Sequence, residues 1–252
     1  MERLIVPTGR TSTRVSREER RRRFPSEQHP YRQIEAAVRG ALPPGGTLLD
    51  IGCGREATRL RRLVAEGQQA VGVDVDAFSA DAVRDPRVQL LQVVSDRWPD
   101  IGTHSVDVAY SVSVFEHLED PGAVLAEARR VLRPGGSLFI LTANLFDYVS
   151  QASSVIPNRL HPRLVALTEG RDQSRTFPTY YRANTRRRLQ RVLVQAGFTV
   201  ERLVYLASPP SYLKFHPVAW RIGCAYHRAI VATAYTAWLQ GWLFADARAP
   251  RR

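Results

Sequence analysis

Two short apolar runs constrain this chain most: Leu48-Leu49-Asp50-Ile51-Gly52-Cys53-Gly54 and, about twenty residues on, Val71-Gly72-Val73-Asp74. The first reads as a buried strand that breaks into a glycine turn and then a helix. The second reads as another buried strand, ending on a single carboxylate. Strand, turn, helix and strand in that order build a parallel unit, so the chain belongs among α/β folds with a sheet buried on both faces. Glycines in such a turn let backbone N–H groups approach a ligand closely. A carboxylate at the next strand end can accept hydrogen bonds from both hydroxyls of a ribose. Together the two runs point to a nucleoside-bearing ligand.

The length, 252 residues, fits one large α/β domain with elaborations, and a hydrophobic fraction of 44% is enough for a sizeable core. Cys53 and Cys224 are too far apart in sequence to suggest a disulfide framework or a metal-ligand spacing, which suits a reducing cytoplasm. The Arg-rich N-terminal stretch lacks the apolar region of a secretory signal. The net charge of +12 is unevenly placed. Residues 1–30 carry eight Arg against four Glu, and residues 31–142 carry twelve Arg against fifteen acids. Residues 143–252 carry fifteen Arg and one Lys against five acids. A basic C-terminal part favours an anionic partner: a substrate, a nucleic acid or a membrane surface. Lys214 is the only lysine, so a compositional preference for arginine accounts for part of the asymmetry.

Residues 1–28 read as a basic flexible arm. Apolar Tyr31, Ile34, Ala37, Val38, Ala41 and Leu42 at helical spacing predict a helix over 30–42, stopped by Pro43-Pro44-Gly45-Gly46. Strands are predicted over 47–51, 70–74, 88–94, 106–111 and 137–142, with a helix over about 56–66 and an amphipathic stretch over 118–132, its helix starting at Pro121, between them. Arg133-Pro134-Gly135-Gly136 reads as a stop and turn. Residues 29–143 thus form the ligand-binding core, and 144–184, irregular and rich in Pro, Arg and aromatics, a lid over a substrate site. Residues 185–252 complete the sheet with a basic helix capped by Thr185, a strand over 198–206, an apolar helix over 218–239 and a final strand near 241–248.

At this point the chain resembles the class I S-adenosylmethionine-dependent methyltransferases, particularly those acting on small molecules. The resemblance covers roughly residues 30–206 and rests on an ordered set of signals. These are Asp50-Ile-Gly-Cys-Gly54, Gly72-Val-Asp74, Ser95-Asp96, Phe115-Glu116-His117-Leu118, Val131-Leu-Arg-Pro-Gly-Gly136 and Ala196-Gly-Phe198. It implies a Rossmann-like seven-stranded sheet, mostly parallel with an antiparallel last strand, and helices on both faces. It implies S-adenosylmethionine as cofactor, with Gly52, Cys53 and Gly54 wrapping its methionine part and Asp50 meeting its ammonium directly or through water. Asp74 would bind the ribose and Val75 the adenine face. Asp96 would accept from the adenine amino group, with Arg97 beside it. Ser111 would lie beneath the methionine, and His117 beside the sulfonium or carboxylate. Glu56 stands where the family often has a third glycine. It could favour the helix N-terminus, pair with a nearby Arg, or narrow the site.

Methyl transfer needs alignment of nucleophile, methyl and sulfur, and a hydroxyl acceptor also needs a base. His117 and His161 are the candidate bases, with Tyr180 and Tyr181 able to close over the acceptor. The expected acceptor is small or carrier-linked, methylated at oxygen, and an Arg-rich lid suits an anionic one. Nucleic acid is disfavoured: strand four ends in Ser111-Val-Ser-Val114, without the Asn-Pro-Pro-Tyr-type sequence of base-flipping enzymes. Two other readings stand beside these: a non-catalytic relative that keeps the cofactor site, and a membrane-peripheral enzyme of a lipid or glycolipid. The latter follows from 217–240, since residues 229–245 carry no charge but fall short of the ~20 residues that span a bilayer.

Overall fold

The computed structural model describes residues 15–93, 96–148, 150–151, 177–213 and 216–251. Helix α1 (Arg17–Arg23) and a short 3-10 turn lead into α2 (Pro30–Ala41). Then follow β1 (Thr47–Ile51), α3 (Thr58–Leu63), β2 (Gln69–Asp74), α4 (Ala80–Val83), β3 (Val88–Gln92) and β4 (Val106–Val112). After α5 (Pro121–Val131) come β5 (Leu132–Ala143), α6 (Arg186–Gln195), β6 (Thr199–Leu206), α7 (Pro217–Val231) and β7 (Trp242–Arg248). The seven strands form one sheet in the order β3-β2-β1-β4-β5-β7-β6. The first five run parallel, and β7 is antiparallel to both β5 and β6. The expected fold class is therefore the observed one.

Alternation along the strands divides the core into two layers. Leu49, Ile51, Ala109, Leu138 and Ile140 pack with Leu125 of α5 and Leu189 of α6 on one face. Leu48, Tyr110, Phe139 and Leu141 pack with Ile34 of α2 and Leu60 of α3 on the other. Each central strand is covered on both sides, which explains its unbroken apolar run.

Several boundaries move, for local reasons. Helix α3 starts at Thr58 because Ala57 before it sits in the left-handed region at φ +43°. Asp120 accepts from the N–H groups of Gly122 and Ala123, and α5 begins at Pro121, the expected start. The expected turn at 133–136 is a bulge carried inside β5. Between Val106↔Leu132 and Val108↔Ser137 the register slips, Gly135 takes φ +78°, and its N–H donates to the Ala249 carbonyl. The apolar helix ends at Val231 and continues as a 3-10 turn, Ala234–Leu239, because the Thr236 hydroxyl reaches back to the Ala229 and Ile230 carbonyls. Part of the basic arm is anchored: the Phe24 ring lies edge-on to Trp220 (5.7 Å) and His227 (4.8 Å) of α7.

Candidate functional site

The site lies where β1, β2 and β4 end. The chain leaves β1 through Gly52, whose N–H and that of Cys53 both donate to the Val73 carbonyl, at 2.8 and 3.2 Å. Gly52 has φ +77°, and a Cβ there would stand 2.3 Å from Val114 Cγ2. Gly54 has φ +72°, and a Cβ there would meet no protein atom within 4 Å, projecting instead into the cleft. That cleft, about 620 Å³, is bounded by the glycine turn, the start of α3 and the first turn of α2. Its floor holds the buried Glu35, which Arg32 (2.8 Å), Arg59 (3.6 Å) and Arg62 all contact, so positive charge is in excess beside Gly54.

Asp74 is held by both oxygens. Oδ2 accepts from the Gly54 N–H at 2.7 Å and Oδ1 from the Asp76 N–H at 2.9 Å. Each oxygen keeps a lone pair for a further donor, such as two neighbouring hydroxyls of a sugar. Asp50 is buried; its Oδ2 accepts from the Tyr110 hydroxyl, and its Oδ1 has no partner. Burial lifts its carboxyl to about 7, against the Tyr110 hydrogen bond and the Arg59 charge, which pull it down. An unpaired buried acceptor is costly unless a ligand donor meets it. Burial, then the Asp50 and Asp74 charges, push the Cys53 thiol up, so it is an inert wall. A glycine opening, a buried acceptor for an ammonium, a basic floor for a carboxylate and a fixed carboxylate for a ribose together fit S-adenosylmethionine.

The remaining sequence candidates are arranged differently. Val75 is exposed just beyond Asp74, at the position expected to meet an adenine face. Asp96, half-buried, follows β3 at the same sheet end, since β3 Gln92 pairs with Asp74. Arg97 lies near Glu127 of α5 and helps hold that carboxyl low, after its Arg130 partner and the Trp98 N–H. Ser111 is buried and donates to the Ile51 carbonyl at 3.0 Å. It thus contributes a fixed β1–β4 register. Ser113, two residues on at φ +60°, is the serine that reaches the open space, with its Oγ 3.3 Å from the Tyr31 hydroxyl. Glu56 lines the cleft just beyond Gly54, paired to Arg55 (3.8 Å) and accepting from the Ser79 hydroxyl at 2.6 Å.

Across Tyr31 lies a second cavity, of about 400 Å³, closed by α7 and by residues 179–181. His117 and Glu116 both line it. His117 Nδ1 is 2.9 Å from the Pro178 carbonyl, which only accepts, so in the neutral ring Nδ1 carries the proton and Nε2 is left as an acceptor. Glu116 is buried; Thr142 Oγ1 donates to its Oε2 at 2.7 Å and in turn accepts from Asn184 Nδ2 at 2.8 Å. Burial is the main reason its carboxyl is raised. The Glu116 carbonyl also accepts from the Tyr180 and Tyr181 N–H groups, stitching 178–181 over the cavity. Sequence reading placed Glu116 in a motif but not in the site, and it took Tyr31 as an apolar helix position. His161 lies outside the described residues. Among those residues there is no group of three or more metal-ligating side chains.

The family described as a methyltransferase domain matches residues 49–140, from β1 into β5. Among curated relatives, an uncharacterized 37.1 kDa protein in transposon TN4556 of Streptomyces fradiae is 30% identical over 172 residues, covering 66% of this chain and 47% of that protein. The ubiquinone biosynthesis O-methyltransferase of Hahella chejuensis is 29% identical over 124 residues, covering 47% and 51%. The chain spans about half the length of the curated relatives it matches. Two solved structures share the fold at TM-score 0.51. One is geranyl diphosphate C-methyltransferase from Streptomyces coelicolor (17% identity, 86% of this chain, 77% of that one). The other is the [4+2]-cyclase SpnF (18% identity, 86% and 80%). Sheet order and the matched domain over residues 49–140 together give this chain the Rossmann-like fold of the class I S-adenosylmethionine-dependent methyltransferases.

Proposed function

We propose that the protein transfers a methyl group from S-adenosylmethionine to an oxygen of a small or carrier-linked acceptor held in the 400 Å³ cavity. When bound, the cofactor supplies a methyl group already activated by its sulfonium charge. Gly52, Cys53 and Gly54 would enclose its methionine part, Asp50 its ammonium and Asp74 its ribose. Val75, Asp96 and Arg97 lie toward the adenine end. The observation that carries the reading is the pair of cavities meeting at Tyr31, one on the glycine turn and one on His117 and Glu116. His117 Nε2 would take the proton of an acceptor hydroxyl, and the buried Glu116 would orient that hydroxyl by hydrogen bonding.

The O-methyltransferase name of the Hahella chejuensis relative supports oxygen. Fold alone does not decide, since SpnF, with the same fold, is named a cyclase. An anionic acceptor suits the arginines of 186–188 and of the lid, the latter outside the described residues. Among the described residues no helix is long and apolar enough to cross a membrane, and peripheral contact through 217–240 is the finer reading of that segment.

The test is thermal stability with and without S-adenosylmethionine and S-adenosylhomocysteine, in wild type and in Asp74→Ala. At 100 times its dissociation constant the ligand should add about 2.7 kcal/mol, a rise of roughly 5–10 °C for a chain this size. The rise should vanish in the variant. No rise in folded wild type would remove the cofactor and the transferase reading with it. Once the cofactor is established, hydroxyl-bearing acceptors should be methylated and their deoxy analogues should not; methylated deoxy analogues would refute oxygen. Nucleic-acid binding with a steep salt dependence would move the acceptor class.

A further inference from the structure

Helix α7 has two faces with different tasks. Its inner face buries Trp220, Gly223, Cys224 and Ile230, and Gly223, Tyr226, His227 and Ile230 wall the acceptor cavity. On its outer face Val218, Ile222, Ala225 and Ala229 are all exposed, Ile222 by 64%. At about 100° per residue these four, with Ala232, occupy one arc of about 80°. The stripe leads to Tyr235, 91% exposed, and to Trp238, 46% exposed. A solvent-facing helix normally presents polar residues there, and an apolar stripe needs a partner.

The charges beside the stripe indicate which partner. Arg221 and Arg228 fall together on one flank of the arc, and both are exposed. No acidic residue occurs between Glu201 and Asp246. The basic run of α1, Arg20–Arg23, is tied to the inner side of the same helix by Phe24, whose ring sits on Trp220 and His227, and Arg23 reaches the surroundings of Cys224. An apolar stripe with arginines on its flank makes up the pattern of a helix lying in the plane of an anionic bilayer, with guanidiniums on lipid phosphates.

We propose that the outer face of α7, flanked by Arg221 and Arg228, docks this protein on an anionic lipid surface, and that its acceptor is an amphiphile drawn from that surface. The docking stands without the transferase reading; the acceptor class rests on it. With α7 in the interface, an acceptor head would travel about one helix diameter, roughly 10 Å, to reach the cavity, while its apolar tail stays in the bilayer.

The experiment is co-sedimentation of the full chain with vesicles of phosphatidylcholine alone or mixed with phosphatidylglycerol, comparing wild type with Val218→Asp/Ile222→Asp. Wild type should bind the mixed vesicles and not the neutral ones, and the double variant should bind at least about tenfold more weakly. A retained cofactor-induced rise in melting temperature would show that the variant is folded. No binding of wild type to either vesicle overturns the proposal. Binding that resists the double variant but disappears in salt also overturns it, because the arginine arm alone would then be responsible. A dimer in solution that the variant dissolves would assign the face to a second copy of the chain, against the proposal. Vesicle binding without any cofactor response would sink the transferase reading and leave the docking intact.

Discussion

Ser79 and Glu56, 23 residues apart, tie the segment after β2 to the glycine turn. The Ser79 hydroxyl donates to Glu56 Oε2 at 2.6 Å while the Ser79 N–H donates to the Arg55 carbonyl at 3.1 Å. Asp74 and Val75 lie on the strap so formed. Glu56, which also lines the 620 Å³ cleft, therefore braces the segment after β2 against the glycine turn.

Glu56→Ala should weaken S-adenosylmethionine binding about three- to tenfold while changing stability by about 1 kcal/mol or less, the range of one exposed hydrogen bond. Glu56→Gln keeps an acceptor oxygen and should restore the affinity. Calorimetric titration reads both. Tighter binding in Glu56→Ala would mean that the carboxylate obstructs the site.

Gly52 and Gly67 separate strain from collision. Both have positive φ, +77° and +78°, but a Cβ at Gly67 meets nothing within 4 Å whereas one at Gly52 meets Val114. Gly67→Ala should cost about 1 kcal/mol in urea unfolding, and Gly52→Ala about 2–4 kcal/mol. Val114→Ala should recover part of the Gly52→Ala loss. Equal costs at the two glycines would show that the turn yields easily.

Asp50 makes both stability and affinity depend on pH. Its folded-state carboxyl titrates at about 7, above the unfolded value of about 3.9, so the folded chain holds the proton more tightly. The stabilising contribution is complete below about pH 4 and is lost as pH rises through about 7. A ligand ammonium on the free Oδ1 favours the ionised form, so cofactor affinity should rise between about pH 6 and 8 as stability falls. Asp50→Asn should flatten both curves. Isothermal titration across that window checks this, and an unchanged pH profile in the variant would place the dependence elsewhere.

Thr142 is the middle link between Glu116 and Asn184. Thr142→Val would leave the buried Glu116 without that donor and should cost about 1–3 kcal/mol in chemical denaturation, whereas Thr142→Ser should be near neutral. A neutral valine would mean that water enters and satisfies the carboxyl.

What the chain discloses to a reader follows the range of the forces involved. Leu48–Ile51 and Val71–Asp74 were legible because double-sided burial writes an apolar run into the strand itself. Gly52 and Gly54 were legible because left-handed backbone selects glycine locally. Glu116 was not, since its hydrogen-bond partner Thr142 lies 26 residues away on β5. Tyr31 looked like one more apolar helix position; its contacts with Ser113 and with the Arg59 guanidinium, 5.0 Å from its ring, exist only once α2 is docked. The end of α7 at Val231 was hidden for the same reason: Ala232 and Thr233 are tolerated in helices, and the interruption comes from a threonine that folds back on it.

The place of β7 in the sheet also bears on how the protein is made. It is the seventh strand along the chain, yet it lies between β5 and β6, and β6 joins the sheet only through it. On a ribosome β6 therefore emerges with no strand to pair with, and the open edge of β5 stays exposed until β7 arrives. During that interval the growing chain is a five-stranded sheet whose β5 edge, covered in the finished fold by β7, lies open beside the permanent edge at β3.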